Sequence, residues 1–227
     1  MTAPLRLILF DVDGTLVDSQ ASIVSAMTAS FRAVSLPVPD RAAILSIVGL
    51  SLPVAIARLV PDQPPRMQAR LVDGYKQAYH AQRLQQGAAG SPLFPGARDI
   101  IDRLHATPEI LLGVATGKSQ RGLDALLEAH GLEHVFVTRQ VADHHPSKPH
   151  PSMIETALSE TGVAPADAVM IGDTSFDMEM AQAARVHGIG VAWGYHDRSR
   201  LAAARRVIDS FDQLPGALTE FWGQEHE

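Results

Sequence analysis

What most constrains this 227-residue chain is a change of pattern after residue 95. From there, short apolar runs alternate with helical periodicity. Helices are expected near residues 97–105, 120–130, 153–161 and 178–185, and strands near 110–115, 135–137, 168–171 and 188–192. An apolar run at residues 5–10 supplies one more strand at the start. Strands separated by helices must be joined by crossovers, so they lie parallel with helices on both faces. In such doubly wound sheets, ligands bind beyond the carboxyl ends of the strands. Polar residues directly after an apolar run are therefore the functional candidates.

Residues 18–86 follow a different rule. Ile23, Met27, Phe31 and Val34 form one helical stripe, Met67, Leu71, Tyr75 and Tyr79 another, and no strand pattern intervenes. Breaks at 36–40, 49–51 and 61–65 divide the stretch into about four helices, with Asp40 and Ser51 as N-caps. The expected architecture is α/β: a doubly wound, mostly parallel, Rossmann-like sheet from residues 1–17 and 88–227, interrupted by a four-helix insert at 18–87. Residues 16–18 and 87–95 are its two connections to the sheet and form a hinge.

Composition narrows the partners. A net charge of −6 and a pI near 5.9 give no basic footprint for a nucleic acid or an anionic membrane, which favours a small-molecule partner. The absence of cysteine removes disulfides, thiolate nucleophiles and zinc-thiolate sites, so covalent chemistry needs another nucleophile. Arg6 interrupts the first apolar run and Asp11 and Asp13 follow it, so it reads as neither a signal peptide nor a membrane span, and the cytoplasm is the expected location. A monomer and a homodimer are equally compatible with the sequence.

Four strand-end positions carry chemistry. Asp11-Val12-Asp13-Gly14-Thr15 puts two carboxylates on one face of an extended segment; a calcium loop would need a glycine and a glutamate where Leu16 and Ser22 stand. Thr116-Gly117-Lys118-Ser119 lies between a strand and a helix N-terminus, which suits a phosphate but is also what plain capping looks like. Leu112 stands where a nucleotide-binding phosphate loop needs glycine. Lys148 sits among Pro146, Pro149 and Pro151, whose restricted backbones stiffen the loop. The nearby His144, His145 and His150 match no common metal spacing and are expected to be solvated. Gly172-Asp173-Thr174-Ser175-Phe176-Asp177 ends the set with two acids one helical turn apart; a hard cation such as magnesium accounts for that pair opposite Asp11 and Asp13. At 188–193, Trp193 stands where a dinucleotide fingerprint needs its third glycine.

In this order, D-V-D-G-T, a strand-end threonine, the lysine of K-P-H-P and G-D-T-S-F-D resemble the haloacid dehalogenase superfamily over nearly the whole chain. The helical insert is similar to that superfamily's four-helix cap, and Asp18-Ser19 to its phosphoglycolate-phosphatase-like branch. The resemblance implies a Mg²⁺-dependent phosphatase acting on a small phosphorylated metabolite. In it Asp11 is the nucleophile and Asp13 the general acid and base. Thr116, Gly117 and Lys148 hold the phosphoryl oxygens, and Asp11, Asp13 (through its carbonyl), Asp173 and Asp177 serve the metal. Asp177 acts either through water or as a partner of Lys148. Asp13 argues against a dehalogenase, which lacks that second acid. The absence of lysine from 19–75 argues against phosphonate hydrolysis, and of histidine from 14–79 against a mutase of the same superfamily. A receiver-like phospho-signalling domain is the alternative from another class. Specificity is expected from residues 48–52 with Arg32 or Arg58.

Overall fold

The computed structural model describes residues 4–223, so the outermost ends of the expected sheet domain, 1–3 and 224–227, lie outside the described residues. The first apolar run becomes β1 (Arg6–Phe10), and the alternating region supplies β2 (Ile110–Thr116), β3 (Thr138–Val141), β4 (Ala168–Gly172), β5 (His187–Val191) and β6 (Arg206–Ile208). All pair in parallel, in the order β3-β2-β1-β4-β5-β6. β1 is central and buries both faces, which explains its unbroken apolar run. Ile8 and Phe10 join one core with α5 (Ala97–His105), α6 (Gln120–His130) and α9 (Leu214–Trp222). Leu7 and Leu9 join the other with α7 (Ser152–Thr161) and α8 (Ser175–Ala183).

Three expectations are corrected. The strand expected at 135–137 lies at Thr138–Val141. Apolarity misleads there because β3 is an edge strand whose polar side chains are satisfied by α7: Thr138 Oγ1 and Gln140 Nε2 donate to Glu160 at 2.6 and 2.8 Å. His145 belongs to the same network, bonding Gln140 Oε1 and Ser152 Oγ at 2.8 Å each, so it is not a solvated histidine. The helix expected from 178 starts at Ser175, because Thr174 and Asp177 close a capping box that fixes the first turn. β6 and α9 were not anticipated; β6 has three residues, too few for a periodicity signal.

Between β1 and α5 the chain forms α1 (Gln20–Ala33), α2 (Arg41–Leu45), α3 (Leu52–Leu59) and α4 (Pro65–Gln86). Asp40 caps α2 by accepting from Ala43 N at 2.7 Å. Ser51 precedes α3 without a side-chain cap; its N–H donates instead to Ser147 Oγ at 2.9 Å. The four helices enclose their own core of Ile23, Met27, Phe31, Ile44, Ile56 and Leu71, into which α8 contributes Phe176. The two connections to the sheet pair with each other. Asp18 N donates to Pro92 O at 2.8 Å and Phe94 N to Leu16 O at 2.9 Å, with Val17 bridging Leu93. Among the described residues no helix is long and apolar enough to cross a membrane.

Candidate active site

Asp11 directly extends β1, and its N–H donates to Ile171 O at 2.8 Å, which holds it against β4. Strand order runs outward in opposite directions from the β1–β4 pair, and crevices for ligands open at such points. Asp11 is 1% exposed, and neither carboxylate oxygen accepts a hydrogen bond. Lys148 Nζ lies 2.8 Å from its Oδ1 at ion-pair distance but outside hydrogen-bonding geometry; the hydrogen bond goes to Asp177 Oδ1 at 2.6 Å.

The other acids are held more firmly. Thr15 Oγ1 donates to Asp173 Oδ1 at 3.0 Å, and Tyr195 N to Oδ2 at 2.8 Å. Asp177 Oδ2 accepts from Thr174 N and Oγ1 at 3.0 and 2.7 Å. Gly14, at φ +89°, adopts the left-handed backbone that the turn needs and leaves space that a Cβ would take from the Asp173 carboxylate. One carboxylate oxygen each from Asp11, Asp173 and Asp177 lies within 4.8 Å of the others.

Three buried carboxylates thus face the single ammonium of Lys148. Burial pushes the Asp11 carboxyl up to about 7; Lys148 opposes that shift, while Asp177 and Asp13 add to it. Burial, then Asp11 and Asp177, carry Asp173 well above the usual carboxylate range. On Lys148, burial disfavours the charge, but Asp11 and Asp177 outweigh it and raise the pKa. Buried carboxylate oxygens that accept no hydrogen bond, beside an excess of negative charge, fit a hard divalent cation, which takes carboxylate, carbonyl and water oxygens.

The Asp13 carboxylate turns away from that cluster. Lys118 Nζ grips both its oxygens at 2.7 and 2.8 Å, Ser19 Oγ donates at 2.5 Å, and Ser19 in turn meets Tyr195 Oη at 3.0 Å. Lys118 also donates to Tyr79 Oη on α4 at 3.2 Å. Burial disfavours its charge, but Asp13 and Tyr79 prevail and raise its pKa. Thr116 is buried at the end of β2, and its Oγ1 accepts from Lys118 N at 3.2 Å. Ser119 caps α6 by accepting from Gly122 N at 3.2 Å.

A cavity of about 500 Å³ opens above these residues, between the sheet edge and the helical insert. Asp11, Asp13, Thr116 and Gly117 line its floor, with Ile23, Met27, Val48 and Leu50 on one wall and Tyr75 and Tyr79 of α4 on another. The insert already touches the floor: a Cβ on Gly117 would stand 2.6 Å from Gly49 O and 2.7 Å from Leu50 O. The expected loop at 48–52 therefore lines the cavity, whereas Arg32 and Arg58 do not. Arg58 instead covers the Phe176 ring, its guanidinium 5.1 Å from the centroid.

Sequence reasoning missed Thr15, Ser19, Tyr79 and Tyr195, and left Lys118 without a role. Lys118 and Tyr195 both follow apolar strands, so the strand-end rule could have reached them. Tyr79 was read only as an apolar stripe, and its hydroxyl contact depends on how the insert packs.

A family profile described as Haloacid dehalogenase-like hydrolase matches residues 8–191. A Dickeya dadantii (strain 3937) protein named "Probable phosphatase IndB" is 39% identical, covering 93% of this chain and 92% of its own. A phosphoglycolate phosphatase of Salmonella typhimurium is 27% identical, covering 94% and 92%. The solved structure of a haloacid dehalogenase-like family hydrolase from Streptococcus pneumoniae superposes with a TM-score of 0.81 at 25% identity, over 94% of this chain and 98% of that one.

Proposed function

The chain belongs to the haloacid dehalogenase-like hydrolase family, and on that premise we propose that it is a Mg²⁺-dependent phosphatase hydrolysing a small phosphate monoester through an aspartyl-phosphate on Asp11. The observation that carries the reading is Asp11 itself, a buried carboxylate at the floor of a cavity that pairs with Lys148 and accepts a hydrogen bond at neither oxygen. One oxygen attacks phosphorus while the other is left for a cation. Asp173 and the main-chain carbonyl of Asp13 would hold the cation, and Asp177 would either reach it through water or serve as the partner of Lys148. When bound, the cation would supply positive charge to the transferring phosphoryl group.

Lys148, Thr116 Oγ1 and Gly117 N–H hold the remaining phosphoryl oxygens, so charge developing in transfer meets fixed donors. Asp13 gives a proton to the leaving alkoxide and then takes one from the water that attacks the phosphoenzyme, so free phosphate departs and Asp11 is regenerated. Lys118 and Ser19 orient Asp13 in its ionised state. Residues 18–87 act as a cap over a core of 1–17 and 88–227, and the paired connections at 16–18 and 92–94 are its hinge.

Relatives named phosphoglycolate phosphatase make phosphoglycolate the first compound to assay. The test is phosphate release from a panel of phosphorylated acids and sugars with Mg²⁺ present, then after chelation. Turnover that chelation abolishes and Mg²⁺ restores is expected; turnover indifferent to chelation would overturn the metal assignment.

A further inference from the structure

Four residues of α4 at helical spacing, Lys76, Tyr79, His80 and Arg83, face the cavity together, and across its mouth α6 contributes Arg121. Tyr79 meets Lys118 over the reaction floor; Arg83 lies about one helical turn, roughly 5.4 Å, further along. At that outer end the basic groups converge on one another. Arg83 Nη2 stands 3.1 Å from His80 Nδ1, Arg121 Nη2 stands 2.8 Å from His80 Nε2, and Arg83 Nη1 donates to Arg121 O at 3.3 Å.

This arrangement lacks a counter-charge. Among the described residues, no carboxylate lies within ion-pair distance of Lys76, Arg83 or Arg121. Asp143, the other acid lining the mouth, accepts from Gln120 N instead. A neutral imidazole accepts on one nitrogen only, so guanidinium donors at both nitrogens leave one contact donor against donor. Desolvation, Arg121 and Arg83 lower the pKa of His80, and a proton would only add a second ring donor facing the guanidiniums. Two arginines held together without an acid fit an oxyanion between them, since guanidinium pairs carboxylate and phosphate bidentately.

We propose that Arg83, Arg121 and His80 form a second anion subsite that takes a carboxylate or a second phosphate at the end of the substrate remote from the scissile phosphate. The proposal deepens the phosphatase reading and rests on it. The cavity's volume of about 500 Å³ suits a longer molecule than a two-carbon acid, so the class is phosphorylated sugar acids or bisphosphates. The subsite spans the insert and the sheet domain, so an anionic tail would also hold the insert closed.

The test compares pairs matched in skeleton: 3-phosphoglycerate against glycerol 3-phosphate, and fructose 1,6-bisphosphate against fructose 6-phosphate. In the wild type, the member with the anionic tail is expected to have the higher kcat/KM. In Arg83→Gln and Arg121→Gln that preference falls about 10- to 100-fold, mostly through KM, and in the wild type it shrinks with added salt. Calorimetric binding of the same compounds to Asp11→Asn, with and without Arg121→Gln, reads the subsite without turnover. Loss of tail preference in binding supports the subsite even if no compound is hydrolysed, an outcome that would count against the phosphatase reading alone. Equal losses for tailed and untailed compounds, or no wild-type preference in either measurement, would overturn the subsite.

Discussion

The sheet edge and the helical wall above it are built on opposite terms. At the edge, Asp173 and Asp177 are buried and each is fixed by hydrogen bonds from main chain or hydroxyl groups, while Asp11 is fixed by its strand. The wall contributes aromatic, aliphatic and basic side chains and no carboxylate to the cavity. Besides Phe176, which packs into its core, its attachments include the Gly49 and Leu50 carbonyls against Gly117, Ser51 to Ser147, Tyr79 to Lys118, Arg83 to Arg121 O, and Ser46 O to His196. A reaction step needs atoms fixed within tenths of an ångström, which strand ends supply. Recognition of the rest of a substrate needs a surface that can lift and return.

The sharpest way to break this division is at its floor. Asp11→Asn should lower turnover by more than about 10⁴-fold on every substrate, because an amide neither attacks phosphorus nor serves a cation well. Its melting temperature should hold or rise, since one of three buried carboxylates is gone. Asp13→Ala should cost roughly 10²- to 10⁴-fold in kcat, most on poor leaving groups; an equal loss on activated aryl phosphates would argue against the acid role.

At the boundary between the two regions, Gly49 has φ +95°, and a Cβ there would stand 3.2 Å from Thr174 Oγ1. Gly49→Val should lower kcat/KM for the natural substrate by about 10- to 100-fold while sparing a small activated phosphate. Parallel losses on both, with a lower melting temperature, would mean that the glycine serves only the chain's path.

The smallest effect concerns the contact of His196 with Ser46, which latches the insert to the sheet domain. Buried His196 accepts from Ser175 N at 3.1 Å through Nδ1, and its Nε2 lies 3.0 Å from Ser46 O, so it works as the neutral ring. Burial lowers its pKa from the ordinary 6.5, with Arg200 adding to the shift and the Ser46 bond opposing it. A depressed folded-state pKa means that the contribution is present above about 6.5 and is lost as pH falls from there toward the folded value. The stability margin of wild type over His196→Gln should therefore narrow by a few degrees between about pH 8 and pH 5.5. A constant margin would exclude the latch.

How much was legible in advance follows the same division. Asp11, Asp13, Thr116, Lys148 and Asp173 stand at or beyond strand ends, and a parallel sheet brings its carboxyl ends to one edge, so topology alone assembles them. The helices of 18–86 were legible from two 3.6-residue stripes and from the breaks at 36–40, 49–51 and 61–65 that divide the stretch into four. Their orientation was not, because a stripe names the buried face but not what it packs against. Tyr79 therefore reads only as part of an apolar stripe, His80 and Arg83 carry no signal, and Arg58, expected with Arg32 as a source of specificity, packs over Phe176 instead. Edge strand β3 escaped because Glu160, distant in sequence, satisfies its polar face.

The central claim, that Asp11 carries the phosphoryl group, is tested most directly by acid-quenching the wild-type enzyme during steady turnover and mapping the modified peptide by mass spectrometry. The account predicts one phosphoryl group on Asp11, absent from Asp11→Asn and from enzyme quenched without substrate. A phosphoryl group on any other residue, or rapid phosphate release by Asp11→Asn, would contradict it.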